Sequence, residues 1–377
     1  MLVLVIFALL VIAVLVVGMQ VRLPALRLGG VSPREQKLQA LQQWLQKVHD
    51  AGKFNGVVLL CWRGNTVFSG SYGDDAADSP NPLSLQSAFN LASVSKQFTA
   101  FCILLLEHRG QLSIDDTLEC HLPELAGYRS VTVRHLLQHT AGLPDYMQLA
   151  RKAGFSNPVF TIADMIQLLV RQMPASGFRA GDKFRYSNTG YVLLAEIVSR
   201  VSGRSFTEFC ATELFRPLGM HNSCVFNHLS VQAPANRVFG FRKSLFTKKC
   251  RSADLHQFDG VAGDGAVYSS AEDLKIWHDS LHRGALLPVT VYQSALQRGT
   301  LNSGRQIDYG YGWFIGRDDS VEHAGGWQGF SSYLYRTMSD NSLLVILDNS
   351  GNVVRVGAMG FRFHSIGLVL KKFLADY

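Results

Sequence analysis

The chain is poor in proline and in charge, and it lacks repeats. Its 377 residues include 11 prolines and 17% charged residues, and no internal repeat or low-complexity tract occurs. These absences exclude collagen-like, disordered and repeat-array proteins. The composition is 47% hydrophobic, which is typical of a globular protein, and the length predicts a large core in two lobes.

Motifs for metals, redox chemistry and nucleic acids are also missing. No C-x-x-C or G-x-S-x-G occurs, and His135 and His139 lack the glutamate of H-E-x-x-H. Zinc sites, thioredoxin-like sites and an α/β-hydrolase nucleophile elbow are therefore disfavoured. We predict no metal, no cofactor and no nucleic-acid partner. The net charge of +7 is generic in its distribution, and it would suit an anionic lipid surface.

The six cysteines lie mostly within apolar runs. This placement predicts buried free thiols, and it leaves a disulfide open if the domain lies outside the cytoplasm. The cysteines are Cys61, Cys102, Cys120, Cys210, Cys224 and Cys250.

The N-terminus, Met1 to Val17, is an uninterrupted apolar run. It falls just short of the roughly 20 residues that span a bilayer, and it has neither a preceding Lys or Arg nor a following A-x-A site. We interpret residues 1–20 as a signal peptide or a membrane anchor, followed by a linker over 21–32. The positive-inside rule would place Arg22 and Arg27 in the cytoplasm. The chemistry below favours an enzyme that is exported, or anchored and facing the periplasm or the exterior.

The first part of the folded region predicts a helix and then a hairpin. Ser32-Pro33-Arg34-Glu35 has the pattern of an N-cap, a proline at N1 and a glutamate at N3, and Gly52 ends the helix. Two strand-like runs follow, from Val57 to Trp62 and from Thr66 to Tyr72, with a short turn between them.

The rest of the chain predicts helices followed by strands. Helices are expected over Phe98 to His108, from Thr132 to near Gly142, over Ile162 to Gln172, over Tyr191 to Val201, and from a capping box at Ser270 and Asp273. Strands are expected over Tyr309 to Ile315, Ser320 to His323, Gly329 to Tyr335 and Leu343 to Leu347, before a last helix over Val354 to Leu374. Strands at both ends predict an α/β plus all-α fold, in which an antiparallel sheet built from both termini is flanked by helices and interrupted by a helical lobe.

Ser93-Val94-Ser95-Lys96 is the only S-x-x-K in the chain. On a helix, residues i and i+3 share one face, so the Ser93 hydroxyl and the Lys96 amine can meet. A serine needs a base to become a nucleophile, and a desolvated lysine can act as one. Taken alone, the pattern fits a solvated helix start better.

Two later patterns carry groups of the same chemistry. Tyr186-Ser187-Asn188 is the only Y-x-N; a nearby cation would lower the tyrosine pKa, and Asn188 could hold a substrate amide. In His323-Ala324-Gly325-Gly326, glycines would let a substrate backbone approach, and the N–H groups of Gly326 and Ser93 could form an oxyanion hole. A local turn and a glycine bulge explain each pattern separately.

In combination and in this order, the three patterns resemble the serine β-lactamase and penicillin-binding-protein superfamily. The similarity is strongest to the branch of class C β-lactamases, D-Ala-D-Ala carboxypeptidases, D-aminopeptidases and esterases, and it covers about Gln36 to Leu347. Matching segments include FNLASVSKQFTA, TVRHLLQHTAGLPDY, YSNTGYVLLAEIVSRVSG and GDGAVYSSAEDL. The resemblance implies a serine hydrolase domain over 33–377, with the helical lobe at roughly 108–285.

The resemblance also implies roles for individual residues. Ser93 would be the nucleophile, Lys96 its activator, and Tyr186 the proton shuttle to the leaving group. Substrate would be held by Asn188, His323 and Gly325, and the backbone N–H groups of Ser93 and Gly326 would form the oxyanion hole.

The third pattern departs from class C β-lactamases, which have Lys-Thr-Gly where this chain has His323-Ala324-Gly325. An unperturbed histidine is mostly neutral at pH 7, so a substrate carboxylate would be captured less strongly. We therefore expect D-peptide (carboxypeptidase or aminopeptidase) or carboxylesterase activity on a peptide or small-molecule substrate. The alternatives are a β-lactamase and a membrane-held penicillin sensor or binding protein without turnover. The sequence leaves the oligomeric state open.

Three other patterns have simpler interpretations. Ser339-Asp340-Asn341 matches a motif of class A β-lactamases, but its position predicts a hairpin turn, and His282-Arg283-Gly284 predicts a helix C-terminus. Asp264, between two glycines, fits either a tight turn or a position at the site.

Overall fold

A computed structural model of the chain describes residues 23, 25–26, 33–76, 81–172, 177–243, 250–351 and 365–377. The predicted N-terminal signal or anchor segment, most of the linker and the proposed N-cap Ser32 lie outside these residues, so the predicted location stays a prediction. No helix within the described ranges combines the length and the apolar character that crossing a bilayer requires.

A six-stranded antiparallel sheet joins the two ends of the chain. Its strands, numbered along the chain, are β1 (Gly56–Trp62), β2 (Asn65–Tyr72), β10 (Phe314–Ile315), β11 (Ser320–Trp327), β12 (Phe330–Thr337) and β13 (Ser342–Asp348). Their order in the sheet is β10-β11-β12-β13-β1-β2, so β1 lies beside the much later β13, with Val57 opposite Leu347. This arrangement confirms the predicted fold class.

Seven short strands and all the described helices except the first and the last lie between β2 and β10 in the sequence. The strands are β3 (Phe89–Asn90), β4 (Cys224–Val225), β5 (Phe241–Lys243), β6 (Cys250–Ser252), β7 (Val267–Ser269), β8 (Gly299–Thr300) and β9 (Gln306–Ile307). The α-helices of the described chain are α1 (Arg34–Asp50), α2 (Lys96–His108), α3 (Leu118–His121), α4 (Val133–Leu137), α5 (Tyr146–Lys152), α6 (Ile162–Gln172), α7 (Asn188–Ser202), α8 (Phe206–Cys210), α9 (Arg216–Leu218), α10 (Ala271–Arg283), α11 (Val289–Tyr292) and α12 (Ser365–Ala375). A π-helix spans Ala211–Phe215, and 3₁₀ helices span Ala92–Ser95, Pro123–Tyr128 and Gln293–Leu296.

The sheet separates two hydrophobic cores because successive side chains of a strand point to opposite faces. Val57 and Leu59 of β1 belong to the large core under the inserted helices. Val58 and Leu60 belong to a smaller core, which α1 and α12 cover. The larger core is built around α2 and α7, and it supports the turn that precedes α2.

Several element boundaries differ from the sequence predictions. Helix α1 begins at Arg34 with Pro33 at the N-cap, and no side-chain oxygen caps it. Of the strand predicted over Tyr309 to Ile315, only β10 forms; Tyr309 makes an isolated bridge to Phe314. Part of the predicted last helix falls outside the described residues, and α12 begins at Ser365.

The predicted capping box of α10 forms only in part. Ser270 Oγ accepts the Asp273 N–H at 3.1 Å, as expected. The Asp273 carboxylate instead accepts hydrogen bonds from the Asn222 N–H and the Ser223 hydroxyl. The two simpler turn interpretations are confirmed: residues 338–341 join β12 to β13, and Gly284 ends α10 with a φ of 67°.

The cysteines are more varied than predicted. Cys61, Cys102 and Cys210 are buried, whereas Cys120 and Cys250 are exposed. The buried Cys102 and Cys210 have their sulfurs 3.7 Å apart. All six are free thiols.

Candidate active site

Ser93 lies in a buried turn that leads into α2. The turn is a 3₁₀ helix over Ala92–Ser95, so the regular helix predicted for the S-x-x-K pattern begins only at Lys96. Ala92 has a φ of 46°, a conformation that costs a non-glycine residue roughly 1–3 kcal/mol. Asn90 Oδ1 stabilises it by accepting the Ala92 N–H at 2.8 Å. The turn thus holds Ser93 in one orientation.

Lys96 is fully buried and has three hydrogen-bond partners. Its Nζ lies 3.0 Å from Ser93 Oγ, 2.9 Å from Asn188 Oδ1 and 2.7 Å from the Asp264 carbonyl oxygen. The two carbonyl oxygens can only accept, so they hold two N–H bonds of the amine. When the amine is neutral, its nitrogen carries a lone pair in place of the third N–H bond, and this lone pair points to the Ser93 hydroxyl.

Burial favours this neutral form. It lowers the pKa of Lys96 to about 7, against the opposing effect of the Asp264 carboxylate. Burial also raises the pKa of Asp264, which the Lys96 charge in turn lowers. Near neutral pH, a substantial fraction of Lys96 can therefore accept a proton from Ser93.

Tyr186 and Asn188 lie at the start of α7, beside Lys96. The Lys96 amine is 5.0 Å from the centre of the Tyr186 ring. Burial raises the pKa of Tyr186 well above its usual value, although a hydrogen bond with Ser93 lowers it. The predicted lowering of the tyrosine pKa by a cation is therefore wrong. Tyr186 is a neutral phenol that can donate and accept at once.

Gly325 and Gly326 are in β11, where it passes the Ser93 turn. A Cβ atom on Gly325 would lie 2.3 Å from the Leu91 oxygen and 3.0 Å from the Ser93 nitrogen, whereas one on Gly326 would meet nothing within 4 Å. Trp327 and Phe330 are the pair that closes the hairpin between β11 and β12, and Gly326 and Ser331 are the next pair. Hydrogen-bonded and non-hydrogen-bonded pairs alternate along antiparallel strands, so the Gly326 N–H points away from β12. That direction and the cavity beside Ser93 make this N–H accessible to a ligand.

His323 is placed differently from the prediction. It is 1% exposed and lies behind the site, in the interior of β11. Its Nδ1 donates to the Ala324 carbonyl at 2.8 Å, and its Nε2 is 3.2 Å from the Tyr309 hydroxyl. Burial and the Lys96 charge lower the pKa of His323 to about 3. A neutral, enclosed imidazole does not fit the predicted capture of a substrate carboxylate.

A cavity of about 180 Å³ opens in front of Ser93. Asn188 and Gly326 line it, whereas Lys96, Tyr186, His323 and Gly325 are not among the lining residues. The other lining residues are Asn90, Ala92, Tyr146, Met147, Phe258, Asp259, Val261, Asp264, Gly265, Ala266 and Trp327.

Most of these lining residues were not found from the sequence. The sequence left open whether Asp264 belongs to a tight turn or to the site. It belongs to both, because it lines the cavity and the neighbouring Gly263 forms a turn with a φ of 101°. Tyr146 ends a segment that carried the family resemblance, and its hydroxyl donates to Asp264 at 3.3 Å. Asp259 and Trp327 belong to no pattern that points to them.

The chain is similar to known proteins in sequence and in fold. The family model described as Beta-lactamase matches residues 41–362. Penicillin-binding protein 4* of Bacillus subtilis (strain 168) is 33% identical over 328 residues, which are 84% of this chain and 72% of that protein. The chain therefore belongs to the beta-lactamase family, which contains penicillin-binding proteins as well as hydrolases.

Two further relatives show the extent of the similarity. A penicillin-binding protein from Bacillus halodurans has a solved structure that superposes with a TM-score of 0.73 at 27% identity, over 88% of this chain and 99% of that one. Protein flp of Staphylococcus aureus (strain MW2) is 25% identical over 81% of this chain, which spans only 61% of the length of flp.

Proposed function

We propose that the chain is a serine hydrolase that cleaves an amide or ester bond through an acyl-enzyme on Ser93. The observation that carries the proposal is the 3.0 Å separation of Ser93 Oγ and Lys96 Nζ, with the other two N–H bonds of the amine held by carbonyl oxygens. This is the arrangement of a nucleophile and an adjacent base.

In the acylation step, Ser93 Oγ attacks the substrate carbonyl carbon while Lys96 takes its proton. The negative charge that develops on the carbonyl oxygen is stabilised by the N–H groups of Ser93 and Gly326. As the intermediate collapses, the Tyr186 hydroxyl donates its proton to the leaving group, and the Lys96 ammonium returns a proton to the Tyr186 oxygen. The leaving group departs as a neutral amine or alcohol.

Water completes the reaction by the reverse route. Tyr186 accepts a proton from the attacking water as its own proton passes to the neutral Lys96 amine. The Lys96 ammonium then protonates the Ser93 oxygen as the acyl group leaves as an acid. Asn188 serves both steps: its side-chain oxygen holds Lys96, and its position in the cavity lining leaves its amide N–H₂ available to a substrate carbonyl.

Between the hydrolase alternatives, cleavage of esters, or of D-peptide amides without a free carboxylate, has more support than β-lactam hydrolysis or carboxypeptidase activity. A penicillin carries a carboxylate, and the described residues that line the cavity include no Lys, Arg or His. The neutral state of His323 removes the group that was expected to replace the missing lysine. We expect penicillin to acylate Ser93 slowly, and we expect esters and small amides to turn over.

Covalent labelling tests the proposal. A fluorophosphonate probe should label the wild type but not Ser93→Ala. Ser95→Ala is the control and should be labelled, because the Ser95 hydroxyl only accepts the Val267 N–H. Equal labelling of all three proteins would refute an acyl-enzyme on Ser93. Product release beyond one equivalent of enzyme, from an ester or a D-peptide, would exclude the sensor without turnover.

A further inference from the structure

The cavity in front of Ser93 is acidic and small. Its lining includes two carboxyl groups, those of Asp259 and Asp264, and no basic side chain among the described residues. The cavity of about 180 Å³ is smaller than the pockets of about 300–1,000 Å³ that enclose drug-sized ligands. An acyl group about as large as one amino-acid residue fits in it, and the rest of a substrate can extend through its open side.

The two carboxyl groups differ in whether a cation already faces them. Asp264 interacts with the Lys96 charge and accepts the Tyr146 hydroxyl. Asp259 accepts the Trp327 indole N–H at 2.6 Å and the His256 backbone N–H at 2.5 Å. Both of its partners are neutral, and no Lys, Arg or His of the described chain forms a salt bridge with it.

The surroundings of Asp259 add negative charge. Burial, together with the carboxylates of Asp264 and Asp254, raises the pKa of Asp259 to about 7, although its two hydrogen bonds oppose this shift. Asp254 is paired with Arg237. A carboxylate accepts up to about four hydrogen bonds, so the oxygens of Asp259 keep unused acceptor positions. A bound cation would relieve the repulsion and complete the hydrogen bonding.

We infer that Asp259 binds the ammonium group of the substrate, so that the preferred substrates are amides or esters of amino acids with a free amine. The inference rests on the proposed acyl-enzyme function, because it assigns the acyl half of the substrate to the cavity beside Ser93. The apolar side chains of Met147, Phe258 and Val261, which also line the cavity, would receive the side chain of that amino acid.

Asp259 lies close to the proposed oxyanion hole as well as to the proposed ammonium position. The Trp327 indole that holds its carboxylate follows directly after Gly326, whose N–H is the proposed oxyanion donor. A contact with the ammonium group that is equally strong in the bound substrate and in the transition state changes KM and not kcat. Loss of this contact should therefore appear mainly in KM. A residue that only positioned Trp327 would instead affect every substrate equally.

The test compares the p-nitroanilides of D-alanine and L-alanine with their N-acetyl derivatives, on the wild type and on Asp259→Asn. Asparagine keeps an acceptor for the Trp327 N–H but removes the charge. We expect the wild type to prefer the free amines by about tenfold or more in kcat/KM. In Asp259→Asn, KM for the preferred free amine should rise by about tenfold, while the N-acetyl substrates change by less than about twofold.

Asp50→Asn is the matched control, because it makes the same chemical change at an exposed position at the end of α1. It should leave both substrate types unaffected. An equal loss for free and N-acetyl substrates in Asp259→Asn, or a wild type without amine preference, overturns the inference while labelling on Ser93 still supports the hydrolase. Absence of Ser93-dependent labelling and turnover overturns the proposed function, and the inference with it.

Discussion

At the scale of single residues, the proposed chemistry depends on a lysine that is neutral near physiological pH. The pKa of Lys96 is lowered to about 7 because its amine is buried. Only the neutral form has a lone pair to accept the Ser93 proton. Activity should therefore be lost as the pH falls below this pKa and should reach a plateau above it.

We expect kcat/KM for a neutral ester to rise about tenfold per pH unit below pH 7 and to level off above about pH 8. A neutral ester is used so that the substrate itself does not titrate. The measurement is a pH profile between about pH 5.5 and 9, with folding monitored at each pH. An inflection near pH 10, where an exposed lysine titrates, would contradict the role of burial.

Tyr186→Phe should separate the hydroxyl from the ring. The ring packs 4.2 Å from the His139 ring, centre to centre, and phenylalanine preserves that contact. Loss of the proton relay should lower kcat by about 10² to 10⁴-fold. The buried Tyr128→Phe, in another part of the fold, removes a hydroxyl in the same way and should leave kcat unchanged. Similar kcat values for both variants would remove Tyr186 from the mechanism.

The sequence predicted which side chains meet but not their charge states. Spacing alone placed Ser93 and Lys96 in contact, and the structure brings Tyr186 and Asn188 to them. The substrate-binding role predicted for His323 does not fit its burial, which is a property of the folded sheet that no local pattern reveals. Asp259 reaches the cavity through a loop whose path depends on distant contacts, such as the bond to Trp327.

At the scale of elements, the approach of β11 to the Ser93 turn sets the geometry of the site. Two adjacent glycines give a matched pair for testing it. Gly325→Ala would force a Cβ to within 2.3 Å of the Leu91 oxygen, whereas Gly326→Ala meets nothing within 4 Å. The first substitution must push the strand and the turn apart.

We expect Gly325→Ala to lower the free energy of unfolding by about 1–3 kcal/mol, measured by urea denaturation. Gly326→Ala should change it by no more than about 0.5 kcal/mol. Equal effects of the two substitutions would mean that the strand tolerates a side chain at either position, and that the close approach does not fix the turn.

The positions of most elements could be predicted, whereas their ends could not. Helix α6 matches its predicted bounds, because its hydrophobic period is strong. The first turn before α2 is a 3₁₀ helix, because the Ala92 conformation and its bond to Asn90 override the local preference for a regular helix. Tertiary contacts of this kind are not visible in the sequence.

At the scale of the whole molecule, the sheet separates a core that supports the site from a core that does not. Leu370 of α12 is fully buried in the smaller core, whereas Leu368 of the same helix is 52% exposed. Leu370→Ala should lower the free energy of unfolding by about 2–5 kcal/mol, and kcat at 25 °C should not change. Leu368→Ala is the control and should change neither quantity.

Thermal or urea unfolding measures the stability of both variants, and ester hydrolysis measures their activity. A decrease in kcat for Leu370→Ala, in protein that remains folded, would mean that the two faces of the sheet are coupled. A lower free energy of unfolding with an unchanged kcat would show that the smaller core stabilises the fold without affecting the site.

The pairing of β1 with β13 also has a consequence for how the chain is made. The two strands are about 290 residues apart, and translation proceeds at about 5–20 residues per second. The β1–β2 hairpin therefore leaves the ribosome roughly 15–60 s before the partner for its inner edge. During that time an unpaired, apolar strand edge is exposed to other nascent chains. We expect productive synthesis to depend on a holding chaperone until β13 emerges.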